Sequence, residues 1–186
     1  MKTKDLVLIS LFAAITCILS VIAIPLPFTP VPITLQILAV TMCGAILGGK
    51  GGALSQVIYV LLGAIGLPVY AGGASGLGQL MGPTGGYLFG FIIGAYLIGI
   101  LTHRGMKSVT TRQGRYGIIV GSMLVGLFVI YLCGMFQLML VAQMTLAKAF
   151  LGGVAPFILV DMLKVIAGSI IAFALRESLV KAAVIS

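Results

Sequence analysis

Six long apolar stretches, at residues 6–24, 33–49, 53–68, 87–102, 118–143 and 157–175, set the terms on which this 186-residue chain can fold. A bilayer core about 30 Å thick takes roughly 20 apolar residues of α-helix to cross. Inside lipid, backbone N–H and C=O groups have only each other to bond, and a helix satisfies them within one segment. The pattern predicts an all-α integral membrane protein with six transmembrane helices, residues 1–186 forming one domain. Charged residues are 8% of the chain, against about 25% in soluble proteins, too few to cover a surface that faces water. A signal peptide also opens with positive charge and an apolar run. The first run is long for that role, and five further runs follow it.

The net charge of +8 is distributed by position rather than gathered in a stripe. With six crossings, Lys2, Lys4, Lys50, Arg104, Lys107, Arg112, Arg115, Arg176 and Lys181 fall on one side of the membrane. Only Lys148 falls on the other, and Lys164 lies inside a span. That asymmetry predicts cytoplasmic N- and C-termini and argues against nucleic acid as a partner. Cys17, Cys43 and Cys133 lack the spacing of a disulfide framework or a zinc site, so no metal is expected. Residues 44–51 spell GxxxxGK, but Gly51 stands where a phosphate-binding loop needs Ser or Thr, and no strand precedes it. The chain is not expected to hydrolyse nucleotides, nor to be an enzyme of another kind. His103, the one histidine, falls at a membrane edge, and Ser169 is five residues from Lys164 on one helix, roughly 140° away in direction.

Three loops then face outward. Residues 25–32 carry Pro25, Pro27, Pro30 and Pro32, which forbid a helix and favour a stiff extended segment able to cover a pocket with Phe28. Residues 69–86 carry seven glycines and read as a long structureless lid or binding loop, with Gln79 inside it and Gly86-Tyr87 at its end. Residues 144–156 form the third.

Asp161 and Lys164 sit in the last stretch, three residues apart and on one helix face. Ionisable groups inside a membrane are costly and mark functional sites by default. At 1.5 Å per residue they lie about 6 and 10 Å below the outer start of that helix. They either neutralise each other as an internal pair or share themselves with a ligand. Gln36, Gln79, Tyr59 and Tyr87 are candidate additions to a pocket open to the outside, suited to a small, mostly apolar molecule with an amide-like end and an acid group. On the first helix, Ser10 with Ala14 and Ala13 with Cys17 give small residues at four-residue spacing, which lets helix backbones approach closely in lipid.

The strings PLPFTPVPITLQ at residues 25–36, GLPVYAGG at 66–73, GPTGGY at 82–87 and DMLK at 161–164 resemble, in order and across nearly the whole chain, the BioY family. These are biotin-specific substrate-binding components (S-components) of energy-coupling-factor (ECF) transporters. The resemblance implies the six-helix S-component fold and high-affinity binding of biotin in an outward-facing pocket, with no cofactor. It also implies partnership, in a prokaryotic plasma membrane, with a transmembrane coupling subunit and two ATPase subunits. Asp161, Lys164 and Tyr87 take the family's binding roles, and Gln79 takes that of the polar residue in the glycine-rich loop. Ser10, Ala13 and Ala14 fall where the family docks on its coupling subunit, with Ser10 in place of the usual alanine. Asp161 is expected to accept from the ureido N–H groups, and Lys164 to reach the carboxylate or a water beside it. Two other readings start from the same residues: a stand-alone carrier that moves protons through Asp161, and a membrane assembly protein that binds no small molecule.

Overall fold

The computed structural model describes residues 3–182, so Lys2 lies outside the described residues. Helix α1 (Thr3–Val21) leads into a hairpin of strands β1 (Ala23–Leu26) and β2 (Thr29–Thr34), followed by α2 (Gln36–Ala64). A 3-10 turn at Ala71–Gly73 and the short α3 (Leu77–Met81) precede α4 (Gly85–Ser108) and α5 (Arg112–Val141). The chain closes with α6 (Leu146–Gly153) and α7 (Ile158–Lys181). Among the described residues, α1, α2, α4, α5 and α7 are long and apolar enough to cross a membrane.

Helix α2 is not one rod. Gly48 has φ 78° and ψ 176°, outside any helical region. Gln36 Nε2 lies 2.6 Å from Tyr59 Oη, whereas a straight helix would separate these residues by about 34 Å. The segment folds back on itself at Gly48, the arms meeting at small residues. A Cβ on Gly52 would lie 2.9 Å from Gly44 Cα, and one on Gly99 of α4 would lie 2.2 Å from the Gly48 carbonyl carbon. The GxxxxGK string is therefore the turn of a helical hairpin. Arg176 of α7 is buried against that turn, its Nη1 donating to Ala45 O at 3.0 Å and Ile46 O at 3.2 Å. Carbonyls at a helix end lack intrahelical partners and carry partial negative charge, which a guanidinium complements. Arg176 is thus buried against the turn rather than facing water.

Helices α4 and α5 pack through Gly86, Gly90 and Gly94. Cβ atoms there would lie 2.3 Å from Cys133 O, 3.0 Å from Ile130 Cα and 2.8 Å from Ile130 Cγ1. Small residues at this spacing let two helices approach backbone to backbone, the main source of cohesion where lipid removes any hydrophobic drive. Val40, Ala95, Ile98, Met123 and Ile130 are fully buried, while Phe128, Phe136, Leu159 and Ile170 point outward. An apolar exterior of this kind suits acyl chains.

The loops depart from a purely helical picture. Residues 25–32 are extended, as their prolines require, but pair as an antiparallel ribbon with Ala23 opposite Thr34 and Ile24 opposite Ile33. Prolines fit because, among the described residues, neither strand has a second neighbour needing their missing N–H. Residues 69–86 are not structureless, since they contain the 3-10 turn and α3. Residues 144–156 contain α6, begun by Thr145, whose hydroxyl accepts from Lys148 N. The basic connection at 103–117 is almost wholly absorbed into α4 and α5, leaving residues 109–111 between them.

Candidate functional site

At one end of the bundle, β2, α2, the 3-10 turn, α3, α4, α5 and α7 surround a pocket with about 640 Å³ of unfilled space, part of it open solvent. Its walls are mainly apolar, from Val31, Ile37, Leu88, Phe91 and Phe157. Half-buried Pro32, Ala71, Gln79 and Thr84 form the rim. Asp161 and Lys164 line the interior, 4% and 8% exposed.

The ionic pair is made. Lys164 Nζ lies 2.5 Å from Asp161 Oδ1, held by their i,i+3 spacing on α7. The second carboxylate oxygen, Oδ2, accepts from the Tyr131 hydroxyl of α5 at 2.7 Å. Each carboxylate oxygen keeps capacity for a further hydrogen bond, and the ammonium keeps two donors. The trio therefore presents both an acceptor and a donor to anything that enters, with no net charge.

Around it, the polar groups hold one another. Gln36 lines the pocket with its amide fixed at both ends: Oε1 accepts from Thr34 Oγ1 at 2.8 Å and Nε2 donates to Tyr59 Oη at 2.6 Å. Tyr59 stands behind that wall, fully buried and edge-on to Tyr70, with ring centroids 5.8 Å apart. Tyr87 contributes its ring to the pocket, while its hydroxyl donates to Gly153 O at 2.5 Å and so anchors α6. Gln137 of α5 secures the glycine-rich segment through Leu80 O at 2.7 Å and Gly82 O at 2.8 Å. Ser20, near the end of α1, bonds Val69 O next to the pocket residue Tyr70.

Of the residues singled out in the sequence, Asp161, Lys164, Tyr87, Gln79 and Gln36 meet in this one pocket. Phe28 does not. It sits in the tight turn between β1 and β2, 66% exposed, beside Lys148 and Leu151 of α6. Gly86 serves the α4–α5 contact, its backbone pressed against Cys133 O rather than lining the pocket. Ser10 and Ala14 lie on the outward face of α1 among exposed Leu6, Val7, Leu11 and Ile18. Ala13, one residue and about 100° round the helix from Ala14, turns inward at 2% exposure.

Tyr131 is the polar pocket residue that sequence reasoning missed. A tyrosine in the middle of the otherwise apolar stretch 118–143 is the signal, because its hydroxyl needs a buried partner. Thr84 and Tyr70 also join the lining, and only the fold brings them there.

A family model described as "BioY family" matches residues 1–181. Among curated relatives, the "Biotin transporter BioY" of Rhizobium etli is 40% identical over 178 residues, covering 92% of each chain. That of Thermotoga maritima is 38% identical, covering 94% of this chain and 96% of its own. These relatives carry the names of transporters and not of enzymes, in line with the sequence. A crystal structure of the S-component for biotin from an ECF-type ABC transporter superposes with a TM-score of 0.83 at 30% identity, covering 95% of both chains. A family model spanning almost the whole chain, near-full-length relatives and a shared fold lead to one assignment: the chain belongs to the BioY family.

Proposed function

We propose that this chain is the biotin-binding S-component of an ECF-type uptake transporter in a prokaryotic plasma membrane. The observation that carries the reading is the Tyr131–Asp161–Lys164 trio inside an otherwise apolar pocket. Biotin has a polar, uncharged ureido ring and an apolar body, and a buried acceptor beside a buried donor complements that ring. Asp161 accepts from the ureido N–H groups, Tyr87, Phe91 and Phe157 pack on the apolar body, and Gln79 and Gln36 supply neutral polar contacts. The relatives' names as biotin transporters support the same ligand.

Six membrane crossings with both termini cytoplasmic fit the fold-back of α2 at Gly48, which adds a crossing to the five long helices. The charge bias of the loops supports the orientation. The exposed face of α1 around Ser10 and Ala14 docks on a transmembrane coupling subunit, and two ATPase subunits supply the energy.

Uptake of labelled biotin by cells expressing this chain with and without those partners tests the assignment. Uptake that needs the partners and fails on ATP depletion is expected. Uptake by this chain alone that survives ATP depletion and collapses with an uncoupler would instead favour a proton carrier working through Asp161.

A further inference from the structure

We infer that a crevice between the start of α1 and the turn of α2 seats a membrane phospholipid whose headgroup carries a primary ammonium beside its phosphate. Asp5, Leu8 and Ile9 of α1 and Leu47, Lys50 and Leu54 of α2 line about 740 Å³ of unfilled space, part of it open solvent. The crevice is separate from the pocket around Asp161, since Leu47 lies about 17 Å along the first arm of α2 from the pocket residue Gln36.

Charge and depth together say what fits. The lining has one anion, Asp5, and one cation, Lys50. Lys50 is exposed and makes no ion pair among the described residues. Both charges stand at the edge of the bundle, Asp5 in the first turn of α1 and Lys50 just after the fold-back at Gly48. Leu8, Ile9 and Leu54 follow three to four residues further into the helices, about 5–6 Å deeper. A charged mouth over an apolar floor matches a phospholipid entered from the headgroup down. Lys50 meets the phosphate. The ammonium donates to Asp5, whose carboxylate accepts several hydrogen bonds at once. Exposed Leu11 and Leu61 continue the apolar surface for the acyl chains. A quaternary ammonium has no N–H to donate, and a headgroup of net negative charge sets a second anion against Asp5. The proposed contact with a coupling subunit leaves the crevice open to lipid: at 100° per residue, Asp5 and Leu8 lie about 140° and 160° round α1 from Ser10.

Native mass spectrometry of the purified chain with dioleoyl phosphatidylethanolamine, phosphatidylcholine and phosphatidylglycerol at equal concentrations tests this. The ethanolamine lipid is expected to bind about fivefold better than either other lipid, the scale of one charge contact at a membrane surface. Asp5→Asn should erase that preference, and Lys50→Met should weaken all three lipids. Asp5→Lys should turn the preference toward phosphatidylglycerol, a gain that misfolding cannot imitate. Equal binding of the three lipids by the wild-type chain would overturn the inference. So would a preference that survives Asp5→Asn, or free phosphoethanolamine binding as tightly as the lipid.

Discussion

The hydroxyl of Tyr131 on α5 donates to Asp161 Oδ2 on α7 at 2.7 Å, and Lys164 holds the carboxylate's other oxygen. Asp161 is thus oriented from two helices, and an acceptor held in place spares a ligand the cost of ordering one. Tyr131→Phe keeps the ring and removes only the donor. A hydrogen bond to a charged group contributes about 1.5–3 kcal/mol, so biotin affinity is expected to fall about tenfold or more by calorimetry, with little change in yield of folded protein. Unchanged affinity would mean that the bond does not position Asp161.

Gly48 carries the fold-back of α2 at φ 78° and ψ 176°, a region open essentially to glycine alone. A Cβ there meets no atom within 4 Å, so Gly48→Ala isolates the backbone cost, roughly 1–3 kcal/mol. The thermal midpoint in detergent should drop accordingly. A midpoint equal to wild type would show that the turn is not held at this conformation.

Arg176 bonds Ala45 O and Ile46 O at the same turn. Replacing it with Met leaves those carbonyls short of a donor, a loss of about 1–3 kcal/mol for each buried group left unsatisfied. The expected result is lower thermal stability with biotin affinity retained, because Asp161 and Lys164 lie three to four turns away along α7, about 18–22 Å. A selective loss of affinity without a loss of stability would instead tie Arg176 to the pocket.

Two adjacent alanines on α1 should behave differently. Ala14→Trp enlarges an exposed position and is expected to abolish uptake in cells containing the partner subunits while leaving biotin affinity intact. Ala13→Trp forces a large ring into a site 2% exposed. Overpacking of this kind costs about 1–3 kcal/mol, so a lowered thermal midpoint is expected. Loss of binding in Ala14→Trp would make that face internal packing.

Much of this molecule was legible before folding, for identifiable reasons. Lipid imposes one answer on apolar runs, so the long helices follow from hydropathy. Asp161 and Lys164 stand out because charge is rare within such runs, and i,i+3 geometry brings them together on one helix. Contacts across helices were less visible. Tyr131 reaches Asp161 from 30 residues away, and no local pattern encodes that meeting. Hydropathy is equally blind to the shape of connections: glycine-rich 69–86 and residues 144–156 look alike as loops, yet α3 and α6 form where neighbouring groups, Gln137 and Tyr87, satisfy their backbone. Residue type gives no direction, so neither the exposure of Phe28 nor the burial of Ala13 could be read from the sequence.

The central claim is that Asp161 is the ligand's anchor, and biotin titration of purified wild-type and Asp161→Asn protein tests it most directly. The asparagine keeps size and shape, removes the charge that Lys164 and Tyr131 address, and puts N–H donors where an acceptor is needed. Breaking a buried charged contact costs about 3–5 kcal/mol, so tight wild-type binding should weaken by roughly two to three and a half orders of magnitude or vanish. Wild-type protein that does not bind biotin, or Asp161→Asn protein that binds it as tightly as wild type, would contradict the account.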